Sequence, residues 1–223
     1  MKAMILSAGL GTRMRPLTDT TPKPLLKVGG IPLIVWHLER LAHDGFTEVV
    51  INIAHLGYKI KDFLGDGKDW GIHINYSDEQ EEGALESAGG IIKALPLLED
   101  SEPFLVLNGD IFTDYDFNIS KKLDKGILAH LILVENPKHN QNGDFDLEDG
   151  FVVDSKNYTF SGIGYYSKEL FHEVSYGKSS TIPLLKEAMK NSQVTGELYS
   201  GEWVDIGTPQ RLELLNAQLF NGS

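Results

Sequence analysis

Short apolar runs alternate with amphipathic stretches over the first half of the chain, and this alternation restricts the fold more than any other feature of the sequence. Patterns typical of strands cover residues 2–7, 48–53, 72–76 and 104–107. Patterns typical of helices cover residues 32–43, 56–64 and 90–95. The alternation predicts βαβ units and therefore a mostly parallel sheet flanked by helices. The run at 104–107 is apolar throughout, which is typical of a central strand.

The second half is richer in strand patterns, which are followed by two helical patterns. The strands are expected at 127–134, 151–153 and 158–165, and the helices at 181–190 and 209–220. Thr208 and Pro209 form a typical helix start, with a capping hydroxyl before a proline in the first turn. No repeat or flexible linker divides the 223 residues. We therefore expect one domain over residues 1–223, with an α/β, Rossmann-like, mostly parallel sheet and a β-rich insertion.

A glycine-containing loop follows the first strand directly, with Gly9 and Gly11 before the cation Arg13. It does not fit a dinucleotide fingerprint, since Met14 stands where the third glycine belongs, and it lacks the Gly-Lys-Ser/Thr of a Walker A loop. Prolines at 16, 22 and 24 prevent a regular helix after it. Glycines let backbone N–H groups approach phosphate oxygens, and cationic side chains neutralise them. The spacing alone is compatible with a phosphate-binding loop and with a proline-stiffened surface loop.

The charge distribution favours a small anionic ligand over a polyanion. The net charge is −12, yet residues 1–30 carry a net +4. We expect no nucleic-acid partner, because phosphate backbones require clustered cations over a larger surface. The absence of cysteine excludes disulfides, cysteine-ligated zinc, iron–sulfur clusters and thiol catalysis. Without a secretory pattern or a membrane-spanning apolar run, we expect a cytoplasmic protein with no membrane partner.

The loop resembles the signature of sugar-1-phosphate nucleotidylyltransferases. The similarity runs through residues 6–18, LSAGLGTRMRPLT, and resumes at 21–25, TPKPL. The resemblance implies transfer of a nucleotidyl group from a nucleoside triphosphate to a sugar 1-phosphate. It implies that Arg13 and Lys23 neutralise charge at the reacting α-phosphate and the departing pyrophosphate. The residues implied to hold the nucleotide are Ala8, Gly9, Gly11, Thr12, Arg13, Lys23 and Gly89.

Two aspartates occupy positions where an α/β sheet places ligands. Asp110 follows the apolar strand at 104–107, and Asp205 lies before the last helix. Mg²⁺ prefers oxygen ligands and takes one or two carboxylates together with substrate phosphates. Taken alone, Asn-Gly-Asp is also a turn signal, and an aspartate before a helix also favours the positive end of its dipole. The family resemblance implies Mg²⁺ on Asp110 and Asp205, with Asp110 catalytic beside Arg13 and Lys23.

The sequence contains no apparatus for acyl transfer. The seven histidines form no His-Glu-x-x-His motif, and Ser161 lacks the glycine two residues earlier that a nucleophile elbow has. A sugar 1-phosphate needs no general base, because phosphate monoesters have a second pKa of about 6 and are mostly dianionic at pH 7. The reaction then requires positioning and charge neutralisation, which dominate phosphoryl transfer.

The resemblance also divides the chain by substrate, into a nucleotide-binding half at about 1–125 and a sugar-binding half at about 126–223. It implies that residues 85–91 read the base. The residues implied to contact the acceptor sugar are Asn108, Gly143, Asp144, Thr159 and Gly162.

Within the family the similarity is greatest to members that use UTP and N-acetylmuramate 1-phosphate in peptidoglycan recycling. Ser87 and Ala88 stand where that subgroup has Thr-Gly, and Asp154 and Lys156 only approximate the Glu-Lys pair of hexose-specific members. The alternatives are a glucose, mannose or heptose 1-phosphate with UTP, GTP or CTP, and a non-catalytic nucleotide-sugar scaffold. A scaffold could lose the cations or the aspartates, all of which are present here. The missing fingerprint disfavours a nicotinamide-dependent oxidoreductase.

Overall fold

Strands and helices alternate in the computed structural model, which describes residues 1–221. The strands are β1 (Ala3–Leu6), β2 (Lys27–Val28), β3 (Ile31–Pro32), β4 (Glu48–Ile53), β5 (His73–Asp78), β6 (Phe104–Asn108), β7 (Ile111–Thr113), β8 (Ala129–Val134), β9 (Phe145–Glu148), β10 (Phe151–Tyr166), β11 (Val194–Tyr199) and β12 (Trp203–Asp205). The α-helices are α1 (Leu33–His43), α2 (Gly57–Leu64), α3 (Glu86–Ala94), α4 (Ile182–Lys190) and α5 (Pro209–Asn221).

One mixed sheet runs through the molecule in the strand order β11, β8, β10, β6, β1, β4, β5, and β9 pairs with β10. Six of the seven strands on this path run in one direction, and β10 runs against them. The mostly parallel α/β architecture is therefore confirmed, and β6 takes the central place that its apolar run predicts. Two short ribbons, β7 with β12 and β2 with β3, lie outside the sheet.

Side chains on successive positions of the central strands enter two different cores, as the two-residue period of a strand requires. On β1, Ala3 and Ile5 pack with the core that contains Ile34 and Leu38 of α1, whereas Met4 packs with the core that contains Ile91 of α3. All six of these side chains are fully buried. Burying a side chain such as Ile or Leu contributes about 2 kcal/mol, so both helical layers are held firmly to the sheet.

A third, smaller core fastens the loop after β1 to the end of the chain. Its buried residues are Met14, Val28, Leu33, Phe112, Ile206, Leu212 and Leu215. Since Leu212 and Leu215 belong to α5, the last helix packs against Met14 in the loop that follows β1.

Six strands of the structure, β2, β3, β7, β9, β11 and β12, are absent from the sequence prediction, and two predicted elements differ clearly in extent. Helix α3 begins at Glu86 rather than near residue 90, because Gly89 and Gly90 pack inside the helix instead of ending it. Strand β10 is one 16-residue strand where two were predicted, and register shifts break its pairing between Val153 and Tyr158. Within residues 1–221 no helix is long and apolar enough to cross a membrane.

Candidate active site

A cavity of about 640 Å³ opens at the carboxyl ends of β1 and β6. The parallel register places Leu6 beside Asn108, so the segments that follow the two strands leave the sheet side by side. This is the position at which open α/β sheets bind ligands, and the volume suits a small organic ligand. The cavity is lined mainly by the loop at 6–14, by residues 84, 86 and 87, by 108–110, and by Lys23, Asn52, Lys178 and Gly207.

The loop at the front of the cavity is fixed by its own backbone contacts. Gly11 has a positive φ of 61°, and a Cβ there would lie 2.9 Å from Cγ2 of Thr18. The hydroxyl of Thr18 donates a hydrogen bond of 2.7 Å to the carbonyl of Gly11. Short 3₁₀ turns replace a helix after the loop, as the prolines predict. Arg13 is exposed and has no ion pair with any described residue, so its guanidinium is free to meet a ligand.

The second loop cation, Lys23, lies against the first aspartate. Its Nζ donates a hydrogen bond of 2.6 Å to Oδ2 of Asp110, and the lysine side chain is only 12% exposed. Asp110 stands between β6 and β7 on the cavity wall. The structure therefore joins the cationic loop to Asp110 across 87 residues of sequence.

The second aspartate lies next to the first. In the ribbon of β7 and β12, Asp205 pairs with Ile111, and the backbone N–H of Ile206 donates to the carbonyl of Asp110 at 2.7 Å. The Asp205 carboxylate accepts two hydrogen bonds, of 2.7 and 2.6 Å, from Nη1 of Arg211. The two aspartates thus come together from strands far apart in sequence, but only Asp110 lines the cavity, and Asp205 precedes the lining residue Gly207 by two positions.

His139 adds a third contact at Asp205. Its Nε2 lies 2.7 Å from Oδ1 of Asp205. Arg211 sits in the first turn of α5, where its backbone N–H donates to Oγ1 of Thr208 at 3.4 Å, as the predicted cap requires. Both oxygens of Asp205 are therefore engaged.

The donor chemistry at this edge fits a magnesium ion. Hard carboxylate oxygens are its preferred protein ligands, and the ion commonly takes only one or two of them. The described residues contain no cluster of three or more His, Asp or Glu side chains, so protein atoms here could supply only part of a coordination shell. Asp110 has Oδ1 outside its bond to Lys23, whereas Asp205 would have to release Arg211 to act as a ligand.

The predicted acceptor residues are divided between the cavity and a neighbouring turn. Asn108 lines the cavity, and Gly162 packs on it so closely that a Cβ at 162 would lie 2.5 Å from Nδ2 of Asn108. Asp144 accepts a hydrogen bond of 2.9 Å from the N–H of Phe160. The hydroxyl of Thr159 donates to Oδ1 of Asn136 at 2.9 Å.

Gly143 and Asp144 therefore lie in a turn that is hydrogen-bonded to β10 beside Thr159, and none of the three residues lines the cavity. The turn follows His139, which reaches Asp205. Asp154 is occupied elsewhere, in an ion pair of 2.6 Å with Lys186, and is not part of the cavity wall.

The segment expected to read the base lies on the opposite wall. Glu86 and Ser87 line the cavity, but Gly89 does not. Gly89 is buried where a Cβ would strike the carbonyl of Gly177. The N–H groups of Ala88 and Gly89 donate to the carbonyl of Ser179 at 2.9 and 3.1 Å, so residues 177–179 support this segment.

The sequence prediction missed several residues of the site. Ser7 and Asn52 line the cavity, and the buried hydroxyl oxygen of Ser7 has no hydrogen-bond partner among the residues described. The position of Asn52 at the carboxyl end of a strand next to β1 was a usable signal. No local signal marked His139 or Arg211, since only tertiary contacts bring them to Asp205.

Comparison with known proteins identifies relatives over the whole chain. Residues 2–221 match the family described as nucleotidyl transferase. The chain is 52% identical to an N-acetylmuramate alpha-1-phosphate uridylyltransferase from Neisseria meningitidis, over 100% of this chain and 99% of that protein. It is 32% identical to mannose-1-phosphate guanyltransferase beta-A from Xenopus laevis, over 94% of this chain but 62% of that longer protein.

A solved structure shares the fold at lower sequence identity. It is a putative glucose-1-phosphate thymidylyltransferase from Bacillus anthracis in complex with a sucrose, and it superposes with a TM-score of 0.86 at 22% identity, covering 98% of this chain and 95% of the other.

Proposed function

The chain belongs to the nucleotidyl transferase family, and from that premise we propose that it transfers UMP from UTP to N-acetylmuramate 1-phosphate, giving UDP-N-acetylmuramate and pyrophosphate in peptidoglycan recycling. The observation that carries the proposal is the single cavity shared by Arg13, Lys23 and Asp110, with Asp205 on the adjacent strand. The choice of UTP and of the acceptor is supported by the uridylyltransferase that is 52% identical over the full chain.

In the proposed reaction a phosphate oxygen of the sugar 1-phosphate attacks the α-phosphorus of UTP. A new P–O bond forms as the bond from the α-phosphorus to the bridging oxygen of the β-phosphate breaks, and that oxygen leaves with pyrophosphate. The nucleophile is already an anion, so the protein holds the reactants in line and neutralises charge.

The loop residues perform most of that work. The backbone from Ala8 through Thr12, with Gly9 and Gly11 at its turns, brings N–H groups to the triphosphate. Arg13 binds phosphate oxygens with two parallel N–H donors, and Lys23 supplies a point charge. Removing one such interaction from a transition state typically costs a factor of about 10²–10³ in rate.

A divalent cation is common to this family, and we assign Mg²⁺ to Asp110 and Asp205. When bound, Mg²⁺ would add positive charge beside the reacting phosphates. Lys23 fixes the orientation of Asp110 through its 2.6 Å bond, while Arg211 holds Asp205 on the neighbouring strand.

In this proposal the acceptor binds beside Asn108. Gly162 packs against Asn108, and the turn at Gly143 and Asp144, with Thr159 of β10 next to it, lies beyond these residues. Gly89 acts indirectly, through the packing of α3 on residue 177. Nucleoside triphosphates and sugar phosphates are cytoplasmic metabolites, so the proposal places the protein in the cytoplasm.

The test is a matrix of nucleoside triphosphates against sugar 1-phosphates, read as pyrophosphate released. UTP, GTP, CTP and dTTP are each combined with the 1-phosphates of N-acetylmuramate, N-acetylglucosamine, glucose and mannose. We expect the highest kcat/KM for UTP with N-acetylmuramate 1-phosphate. A maximum at another combination reassigns the substrates, and the absence of pyrophosphate release with every combination contradicts enzymatic function.

A further inference from the structure

One buried carboxylate near the cavity has no part in the proposed chemistry. Glu79 follows β5 and is 0% exposed. Burial raises the pKa of Glu79, and hydrogen bonds from Leu85 and Asn52 oppose the increase. A buried carboxyl group is costly unless its oxygens are hydrogen-bonded, so the partners of Glu79 show what the residue holds in place.

The partners of Glu79 connect the two walls of the cavity. Its Oε1 accepts a hydrogen bond of 2.7 Å from Nδ2 of Asn52, and its Oε2 accepts one of 2.8 Å from the backbone N–H of Leu85. Asn52 in turn accepts, through Oδ1, a hydrogen bond of 2.6 Å from the backbone N–H of Ser7. Ser7 opens the phosphate loop, and Leu85 precedes α3 and the cavity-lining Glu86.

The donors and acceptors of these three hydrogen bonds can be arranged in only one way. Both backbone groups at its ends are N–H donors, so Asn52 must present its oxygen to Ser7 and its amide nitrogen to Glu79. The carboxylate of Glu79 then accepts at both of its oxygens. Gly90 packs directly over the connection, since a Cβ there would lie 2.7 Å from Nδ2 of Asn52 and 2.8 Å from Oε1 of Glu79.

We propose that Asn52 and Glu79 are positioning residues that lock the base-reading segment at 85–91 to the phosphate loop, so that the base and the triphosphate of one nucleotide are bound in a fixed relation. The inference rests on the proposed function, because it concerns how the same cavity selects its nucleotide. A phosphate chain without a base needs only the loop. A complete nucleotide needs both walls at the correct distance.

The test compares UTP with inorganic tripolyphosphate, which lacks the base, in the full chain. In Glu79→Gln the new amide N–H₂ must face one of the two donors, either Nδ2 of Asn52 or the N–H of Leu85. One of the two hydrogen bonds of residue 79 is therefore lost. We expect UTP to bind about tenfold or more weakly, with a matching rise in its KM, because a buried donor is left unsatisfied. Tripolyphosphate affinity and kcat at saturating UTP should change less than about threefold.

The matched control is Glu82→Gln, a change of the same kind three residues away. Glu82 lies at the surface, in an ion pair of 2.5 Å with Lys93 and a hydrogen bond from Tyr176, and it takes no part in the bonds that join Asn52, Glu79 and Leu85. This variant should keep the wild-type ratio of UTP affinity to tripolyphosphate affinity.

A double variant provides the rescue. In Asn52→Asp combined with Glu79→Gln, the new carboxylate at 52 accepts from Ser7 and from the amide introduced at 79, whose oxygen accepts from Leu85. Every donor again has an acceptor, and only the hydrogen bond between residues 52 and 79 changes direction, with residue 79 now the donor. The total charge is unchanged. The ratio of UTP affinity to tripolyphosphate affinity should return to within about threefold of wild type.

Each outcome decides the inference. An unchanged ratio in Glu79→Gln, or an unrestored ratio in the double variant, overturns it. If Glu79→Gln does not fold by circular dichroism, Glu79→Asp, which keeps the charge but is one methylene too short to reach both donors, carries the same expectation. If wild type prefers another triphosphate, the uracil assignment fails, and the ratio is then measured with that nucleotide. If wild type binds no nucleoside triphosphate, the proposed function and the inference fail together.

Discussion

The two aspartates of the candidate site lie on paired segments, but each is bonded to a cation from a different part of the chain. Asp110 bonds to Lys23 of the phosphate loop through one oxygen. Asp205 has both oxygens bonded to Arg211, and His139 lies 2.7 Å from one of them. The first aspartate is tied to the loop proposed to bind the nucleotide, and the second to α5 and to His139, near the turn proposed to contact the acceptor.

The two aspartates are therefore not equivalent, although they lie on paired segments. Asp110 is positioned by a cation that would itself contact the phosphates, so its role and that of Lys23 are linked. Asp205 is ion-paired with Arg211 of α5. Helix α5 also packs, through Leu212 and Leu215, against Met14 of the loop after β1. Asp205 therefore combines a proposed chemical role with a structural one.

Asp110→Ala should produce the largest effect. It removes the proposed metal ligand that faces the phosphates, and we expect pyrophosphate release to fall by roughly 10³-fold or more. The fold should persist, because Asp110 has a single side-chain hydrogen bond and the ammonium of Lys23, which lines the open cavity, can meet water there, so circular dichroism and melting temperature should be near wild type. Full activity in this variant would remove the metal assignment.

Asp205→Ala should also abolish activity, with a loss of stability that Asp110→Ala does not show. Arg211 loses two hydrogen bonds, does not line the cavity, and has an Nε that is already buried without a partner among the described residues. We expect this loss to cost roughly 2–3 kcal/mol of unfolding free energy, measured by urea denaturation. Adding Arg211→Ala should recover part of that stability without recovering activity. Equal stability in the two aspartate variants would contradict the contrast between them.

Arg13→Lys should have an intermediate effect that is confined to the nucleotide side. Lysine retains the charge but not the two parallel donors, so the KM for the triphosphate should rise about tenfold. The KM for the sugar 1-phosphate should stay within about twofold. Steady-state kinetics with each substrate varied in turn separates the two, and an equal rise in both would place Arg13 outside the triphosphate subsite.

Arg211→Met tests whether the arginine competes for Asp205. Removing Arg211 frees Oδ2 of Asp205 and leaves only His139 at Oδ1, and we expect Mn²⁺ to bind roughly fivefold more tightly, equivalent to about 1 kcal/mol. Electron paramagnetic resonance of free Mn²⁺ gives the affinity directly. Unchanged or weaker Mn²⁺ binding would show that Asp205 is held for structural reasons only.

Glu197 is a carboxylate that does not line the cavity, so its substitution serves as a control for the two aspartate variants. It should have the smallest effect on stability and none on activity. A hydrogen bond with His130, with further help from Tyr115 and Lys121, lowers the pKa of Glu197 to about 2 despite partial burial. The stabilisation should therefore be complete above pH about 4.5 and disappear as the pH falls toward 2.

Because Glu197 is 46% exposed, Glu197→Gln should reduce the unfolding free energy at pH 7 by no more than about 1 kcal/mol. Urea denaturation at several pH values should show the difference from wild type shrinking as the pH falls through that window. Catalytic activity should not change, and a loss of activity would link this cluster to the site.

Much of the fold follows from local sequence patterns. The strands at 48–53 and 104–107 are each dominated by apolar residues, and Thr208 with Pro209 marks the start of α5 correctly. Helix α3 was placed too late because two adjacent glycines normally weaken a helix. Here Gly90 is required by the close approach of Asn52 and Glu79, which no local pattern could reveal.

The site was predictable where it depends on the loop and unpredictable where it depends on tertiary contact. Gly11, Arg13 and Lys23 lie in one short segment, and the structure brings them to one cavity with Asp110. The contact of His139 with Asp205 spans distant parts of the chain, and its partner cannot be read from spacing.

The central claim is that the loop cations and the aspartate pair form one site for a metal-bound triphosphate. The most direct test is the affinity for UTP, by calorimetry, with and without Mg²⁺ in wild type and in Asp110→Ala. Mg²⁺ should strengthen UTP binding to wild type and leave the variant's affinity unchanged. A variant that retains the full wild-type enhancement would contradict the claim.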